Sequence, residues 1–259
     1  FGVSLADAVL AATLDDGSLE RKAYEDVEYR PVNPPLVVAE SGTELVDPDR
    51  WQPLLLESNV SQNGVPLPGG EQTFIGSNWG SVTPFAIEVD AQPPLDPGPP
   101  PLIAESETAR QYREQAVEVI RASGDLQAGT SMMDIGPGAN DVAALGYESS
   151  GGHDENPATG EAYVPNEVDA ADYYRAIAEY WADGPTSETP PGHWNSIANA
   201  VSDALDSDDA LRLPGSAGAS VDRLEWDVRL AVVLNGALHD AAIAAWGNKA
   251  FYDSVRPIS

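Results

Sequence analysis

Residues 230–247 read LAVVLNGALHDAAIAAWG, and how this stretch is read decides the fold. It is too long and too free of proline for a strand, and it is apolar on nearly every side of a helix. A helix that is apolar all round belongs inside a protein. Its alanines and glycines would let neighbouring helices approach closely. The run extends from about Ser220 towards Tyr252, so it is expected to be the longest and most buried helix, central in a bundle.

Working outward, the preceding stretches carry the same period. Trp194, Ile197, Ala198, Val201 and Leu205 form one helical stripe, opened by Pro190-Pro191, a pair suited to a first turn. Tyr173, Tyr174, Ile177, Tyr180 and Trp181 form another. Tyr112, Ala116, Val119 and Ile120 form a third, stopped at Ser123-Gly124. Residues 131–160 read as loop, with a short helix near Asn140–Leu145. The first half differs. A short helix is expected around Ser4–Leu14. Trp51–Ile87 is too rich in proline and glycine for helix, and Asn63-Gly64 is a turn signal. That stretch is expected to form short strands with Trp51, Phe74, Trp79 and Phe85 as anchors. Ala91–Pro101 is a stiff proline-rich connector. The expected organisation is an extended region over 1–101, followed by a helical bundle over 102–259, mainly α.

Charge narrows the class of function. Forty-two acidic residues face 13 basic ones, a net charge of −29, and only Lys22 and Lys249 are lysine. Such a surface repels itself until salt screens it, which points to a protein adapted to brine. Phosphate backbones and anionic membranes need basic patches that this chain lacks, so nucleic acid is not an expected partner. No apolar run is expected to reach the ~20 residues of a membrane span. With no cysteine, the sequence gives no disulfide from which to read redox compartment. Opening on Phe1 instead of methionine points to removal of a leader or a longer N-terminal region.

Against that background the ending GNKAFYDSVRPIS, 247–259, is conspicuous. Lys249 and Arg256 are seven residues apart, two helical turns, which would place both cations on one face before Pro257 ends the helix. A point charge and a planar fork together make an anion site. The plainer alternative pairs Lys249 with Asp253 at i+4 and Arg256 with some other carboxylate.

KAFYDSVRP (249–257) fits K-x6-R-P, and the surrounding stretches 181–198, 234–259 and WQPL…QNGVPLPGG…WGSVTPF strengthen the match. Over most of residues 50–259 the chain resembles the vanadium-dependent haloperoxidase branch of the superfamily that also holds the type 2 phosphatidic-acid phosphatases. The resemblance implies a helical bundle of the haloperoxidase/acid-phosphatase type, with vanadate as cofactor and phosphate as the alternative. Lys249 and Arg256 would bind oxyanion oxygens, Lys249 being catalytic through its hydrogen bond to bound peroxide. Halide and hydrogen peroxide are then the substrates, or a phosphomonoester if the cradle serves acid phosphatase chemistry. The family completes its site with later P-S-G-H and S-R-x5-H-x3-D segments, which do not follow here, so a C-terminal remainder of the same protein is expected. A homodimer is also expected, and export into a salty medium, with a salt-accumulating cytoplasm as the alternative. A third reading is a non-catalytic helical binding or surface protein retaining a relic of the signature.

The histidines are weaker candidates. PPGH at 190–193 has proline where P-S-G-H needs serine, and it precedes the lysine. His193 is therefore read as pocket-lining, and His239 as a core or pocket-lining histidine satisfied by a neighbour. Asp240 is expected to pair with another helix, and His153 to be a solvated loop residue. No metal site is expected from these histidines, which lack ligand spacing. Asp206, Asp208 and Asp209 lack a calcium-loop pattern and read as solvated surface.

Overall fold

The computed structural model describes residues 2–24, 26, 28–40, 44–60, 65–66, 69–88, 93–105, 107–124, 126–127, 129, 131–138, 155–156, 159–182, 188–207, 212–214 and 219–259. The expected turn at Asn63-Gly64, the helix near 140–145, and His153, Asp208 and Asp209 lie outside them. Of the described residues 45% are helical and 8% strand, which makes the protein mainly α.

Five helices carry that content: α1 (Gly2–Thr13), α2 (Ala109–Gly124), α3 (Ala170–Trp181), α4 (Pro190–Ser207) and α5 (Arg223–Tyr252). α2, α3 and α4 lie where their periodic stripes put them, α5 where the continuous apolar run does, and α1 near the short helix expected at Ser4–Leu14. α5 opens on Asp222, whose carboxylate takes the Glu225 amide at 2.9 Å, with Glu225 at the capping-box position. α3 opens on Asp169, which accepts from the amides of Ala171 and Asp172.

The chain divides into two compact units, 1–110 with 183–259, and 111–182. The expected split into 1–101 and 102–259 cuts across this division. In the smaller unit, β3 (Met132–Asp134) pairs antiparallel with β4 (Glu167–Asp169), Met133 opposite Val168. Residues 131–134 had been expected as loop. The ladder is supported by Asp134, whose carboxylate takes the amides of Gly136 and Asn166 at 2.8 and 2.7 Å.

In the larger unit, β1 (Leu36–Val37) pairs parallel with β2 (Leu54–Leu55). Asn33, 2% exposed, organises the loop between them. Its amide group donates to the carbonyls of Asp47 and Arg50, both at 2.8 Å, and its oxygen takes the amides of Val46 and Asp47. The result is a fixed lead into Trp51, which packs on Tyr29 and Phe74.

α5 is the longest helix, as expected, but not centrally buried. Its buried residues are Gly236, Asp240, Ile243 and Gly247, a single stripe. Leu224, Val228, Val232 and Val233 are exposed. The stripe faces a non-helical segment: a turn of 3-10 helix, Trp79–Ser81, lies on α5. Asp240 accepts the amides of Phe85, Ala86 and Ile87 at 2.6, 2.8 and 3.0 Å. Its expected partner was another helix; instead it satisfies backbone donors that no sheet or helix occupies. By length and composition alone α5 is apolar enough to cross a membrane, which the sequence reading had not anticipated. With Asp240 and its amides on the packed stripe, it is not a clear span.

The two stripe glycines differ in tolerance. A Cβ at Gly247 would lie 2.9 Å from the Gly80 Cα and 3.2 Å from the Pro94 Cδ, so backbone would have to move. At Gly236 the obstacle is the Phe85 ring, which is 62% exposed and free to swing. Gly247→Ala is expected to cost about 1–3 kcal/mol of overpacking. Gly236→Ala is expected to be neutral or to gain up to about 1 kcal/mol of helix propensity. Thermal melts of the two variants check the contrast.

Where α4 ends and α5 begins, Arg223 pairs with Asp203, Asp206 and Asp227, and Arg212 pairs with Asp206. Asp206 is thus engaged, not merely solvated, and its carboxyl is held below the ordinary value chiefly by the Arg212 hydrogen bond. Arg223→Ala leaves these carboxylates repelling one another. Its melting temperature should fall most in dilute buffer, and the deficit should shrink in molar KCl as screening takes over. A deficit independent of salt would assign Arg223 a packing role instead.

Candidate functional site

The site is built at the C-terminal end of α5. Lys249, in its last turn, is exposed, and its Nζ lies 4.2 Å from the centroid of the Trp246 ring. That indole packs on Trp79, with centroids 5.4 Å apart, and closes over Gly76, where a Cβ would meet its Cδ1 at 2.4 Å. Lys249 therefore rests on a rigid aromatic floor.

The helix then stops. Asp253 takes φ 44° and ψ 41°, and its amide donates to the Lys249 carbonyl. Lys249 and Arg256 are consequently not on one helical face, which corrects the reading from spacing. Two causes combine. The residue before a proline is pushed out of the helical region, which acts on Arg256, and tertiary contacts hold Asp253 in the left-handed one. The Tyr29 hydroxyl donates to Asp253 Oδ1 at 2.7 Å, and Arg50 donates from Nε to Oδ2 at 2.8 Å. The alternative Lys249–Asp253 pair does not form either, since the carboxylate is already engaged.

Beyond the turn the chain runs antiparallel to residues 49–51. Ser254 bridges Arg50, the Val255 amide donates to the Asp49 carbonyl at 3.0 Å, and the Trp51 amide donates to the Asp253 carbonyl at 2.8 Å. This pairing returns Arg256 over Trp51, with the guanidinium carbon 5.0 Å from the ring centroid. Its Nη2 donates to the Gln52 carbonyl at 2.6 Å, and its Nη1 reaches Gln72 Oε1 only at 3.5 Å. Its Nε is buried with no hydrogen-bond partner, as is Gln52 Oε1. Burial pushes the guanidinium pKa below its ordinary value, yet an arginine at any such value stays charged. No ion pair involves Arg256 or Lys249 among the described residues.

Both candidate histidines, His193 and His239, lie elsewhere. His239 is ten residues before Lys249, about 15 Å along α5, and its Nε2 is 3.1 Å from the Thr83 carbonyl oxygen. It is satisfied by backbone, as expected, but it is only half-buried and not in the core as the sequence reading had it. His193 is buried in the first turn of α4. The turn that follows lies beside Asn235, through the Asn195–Asn235 amide pair at 3.0 and 3.1 Å, about 21 Å of helix from Lys249. Neither belongs to the group around Arg256.

The sequence reading missed Gln52 and Gln72, whose contacts with Arg256 span 204 and 184 residues; no local signal announces them. Trp51 was read only as an anchor, and Asp253 only as a partner for Lys249. Among the described residues no three histidine or carboxylate side chains gather as a metal site. No protein-family model matches the chain, and no characterised protein or solved structure matches it either.

Proposed function

We propose that this chain carries the arginine–lysine part of an oxyanion site of the vanadium-dependent haloperoxidase type. One observation carries the reading: Arg256 is a half-buried guanidinium with no carboxylate partner among the described residues, in a protein of 42 acidic residues. A desolvated charge without a counterion is costly, and an arriving anion relieves it. The loosely held Nη1 leaves donor capacity for the oxygens of vanadate or phosphate. Lys249 adds a second charge on a flexible stem. Its contact with Trp246 is worth about 0.5–1 kcal/mol at an exposed position, little enough to be exchanged for an oxyanion.

Vanadate, when bound, supplies the Lewis-acidic centre that activates hydrogen peroxide towards halide. The chain's own contribution is electrostatic and set during folding: Arg256 fixes an oxygen from a rigid seat, while Lys249 brings mobile N–H donors. The bundle architecture goes with this proposal, because the exposed Leu224, Val228, Val232 and Val233 of α5 are the kind of surface that further helices would cover.

The test compares bromide oxidation by vanadate-loaded protein and hydrogen peroxide with hydrolysis of phenyl phosphate by vanadate-free protein. Bromination that Lys249→Ala lowers more than it lowers vanadate affinity supports the proposal. Hydrolysis without bromination moves the site to acid phosphatase chemistry. Oxyanion retention with neither activity favours a binding protein.

A further inference from the structure

The turn between the two cations is made by a buried carboxylate with three polar contacts. Asp253 is 2% exposed, and aspartate tolerates its left-handed backbone better than most residues. Its amide closes α5 on Lys249 at 2.9 Å, and its carbonyl takes the Trp51 amide at 2.8 Å. Its carboxylate takes the Tyr29 hydroxyl at 2.7 Å and grips Arg50 from Nε at 2.8 Å and Nη2 at 2.7 Å. Burial, then Asp253 itself, raises the Tyr29 pKa well above the ordinary phenol value, so the hydroxyl stays a donor. One residue thus ties together the last turn of α5, the extended segment at 50–52 and Tyr29. That segment supplies both the ring under Arg256 and the carbonyl that receives its Nη2.

We propose that Asp253 is the positioning residue of the site, setting the register between residues 50–52 and 254–256 that brings the Arg256 guanidinium onto Trp51. It touches no oxyanion; it acts through Arg50, Trp51 and Arg256. The affinity arm below rests on the oxyanion reading, while the spectroscopic arm does not. Simple electrostatics makes the opposite prediction for affinity. A carboxylate near an anion site repels the anion, so removing it should tighten binding.

The test uses Asp253→Gly, which keeps the left-handed turn without the side chain, and Asp253→Asn, which keeps the turn and one acceptor. In wild type the Arg256 Nε–H resonance should be displaced by the ring current of Trp51. It should return to an ordinary position in Asp253→Gly and lie between the two in Asp253→Asn. Vanadate affinity should fall about tenfold in Asp253→Gly, a change of about 1.4 kcal/mol, and less in Asp253→Asn. A retained ring-current shift in a folded Asp253→Gly protein overturns the proposal, and so does unchanged or tighter vanadate binding. If wild type takes up no vanadate, the oxyanion reading falls and the resonance alone decides the role of Asp253. If Asp253→Gly does not fold, Arg50→Gln and Tyr29→Phe release the carboxylate from opposite sides. Loss of the shift in both then supports the proposal, and its retention in both overturns it.

Discussion

Arg256→Ala is expected to weaken vanadate binding by about 100-fold, close to 2.7 kcal/mol. The magnitude follows from what the side chain provides. It offers a planar fork in a partly desolvated seat, where charge-assisted hydrogen bonds are about twice as strong as neutral ones. Truncating one partner of such a pair typically costs 2–5 kcal/mol or more, about 30-fold upward. Arg256→Lys separates charge from shape. It keeps the cation but loses the fork and the guanidinium contact with Trp51, 5.0 Å away, so roughly tenfold should still be lost. Equilibrium dialysis with far-UV spectra of each variant checks both numbers. Equal binding by wild type and Arg256→Ala would remove Arg256 from the site. A tenfold larger loss from Lys249→Ala than from Arg256→Ala would reverse the roles assigned to the two cations.

The second large effect is on stability. Asp240, 6% exposed, accepts three consecutive backbone amides. Asp240→Ala strands them, and hydrogen bonds to a charged group are worth about 1.5–3 kcal/mol each before relaxation and water recover part of the loss. A net cost of about 3–5 kcal/mol lowers the melting temperature by about 6–20 °C for a chain of this size. Asp240→Asn keeps one acceptor but turns an amide against amides, so about half that loss is expected. An exposed control such as Asp7→Asn should move little. The effect also has a pH signature. Burial pushes the Asp240 carboxyl up, but the three amides, with a smaller contribution from His239, overcome it and hold the pKa below its ordinary value. The folded pKa is thus lower than the unfolded value of about 3.9. The stabilisation is therefore complete above about pH 4–5 and is lost as pH falls through the folded value. The gap between wild type and Asp240→Asn should accordingly be widest near neutrality and close in acid. A constant gap down to pH 2 would show that the carboxylate is not what holds residues 85–87.

α2, α3 and α4 were legible from their apolar period and from punctuation, with Pro190-Pro191 at one start and Ser123-Gly124 at one end. β3 and β4 were not. Each is three residues long, with no alternation to read, and their support comes from the carboxylates of Asp134 and Asp169 instead of apolar pattern. α5 shows the opposite failure: an all-round apolar sequence set its length correctly, yet only one stripe is buried among the described residues. Periodicity reports what a helix is able to bury, not what lies against it. At the candidate site, residue identity chose the two cations, while their spacing misled. The scarcity of lysine singled out Lys249, and the motif singled out Arg256. The inference that seven residues meant two helical turns failed at Asp253, whose conformation is fixed by Tyr29 and Arg50, more than 200 residues away in sequence. The seat of Arg256 is equally non-local, since Gln52 and Gln72 contribute through positions that only the fold brings together.

The central claim is that Arg256 and Lys249 form an oxyanion site, and vanadium NMR of wild-type protein titrated into vanadate in concentrated salt tests it most directly. The account predicts a broadened, shifted bound signal that inorganic phosphate displaces and that disappears in Arg256→Ala. An unchanged free-vanadate spectrum at saturating protein, or a bound signal that survives Arg256→Ala, would contradict it.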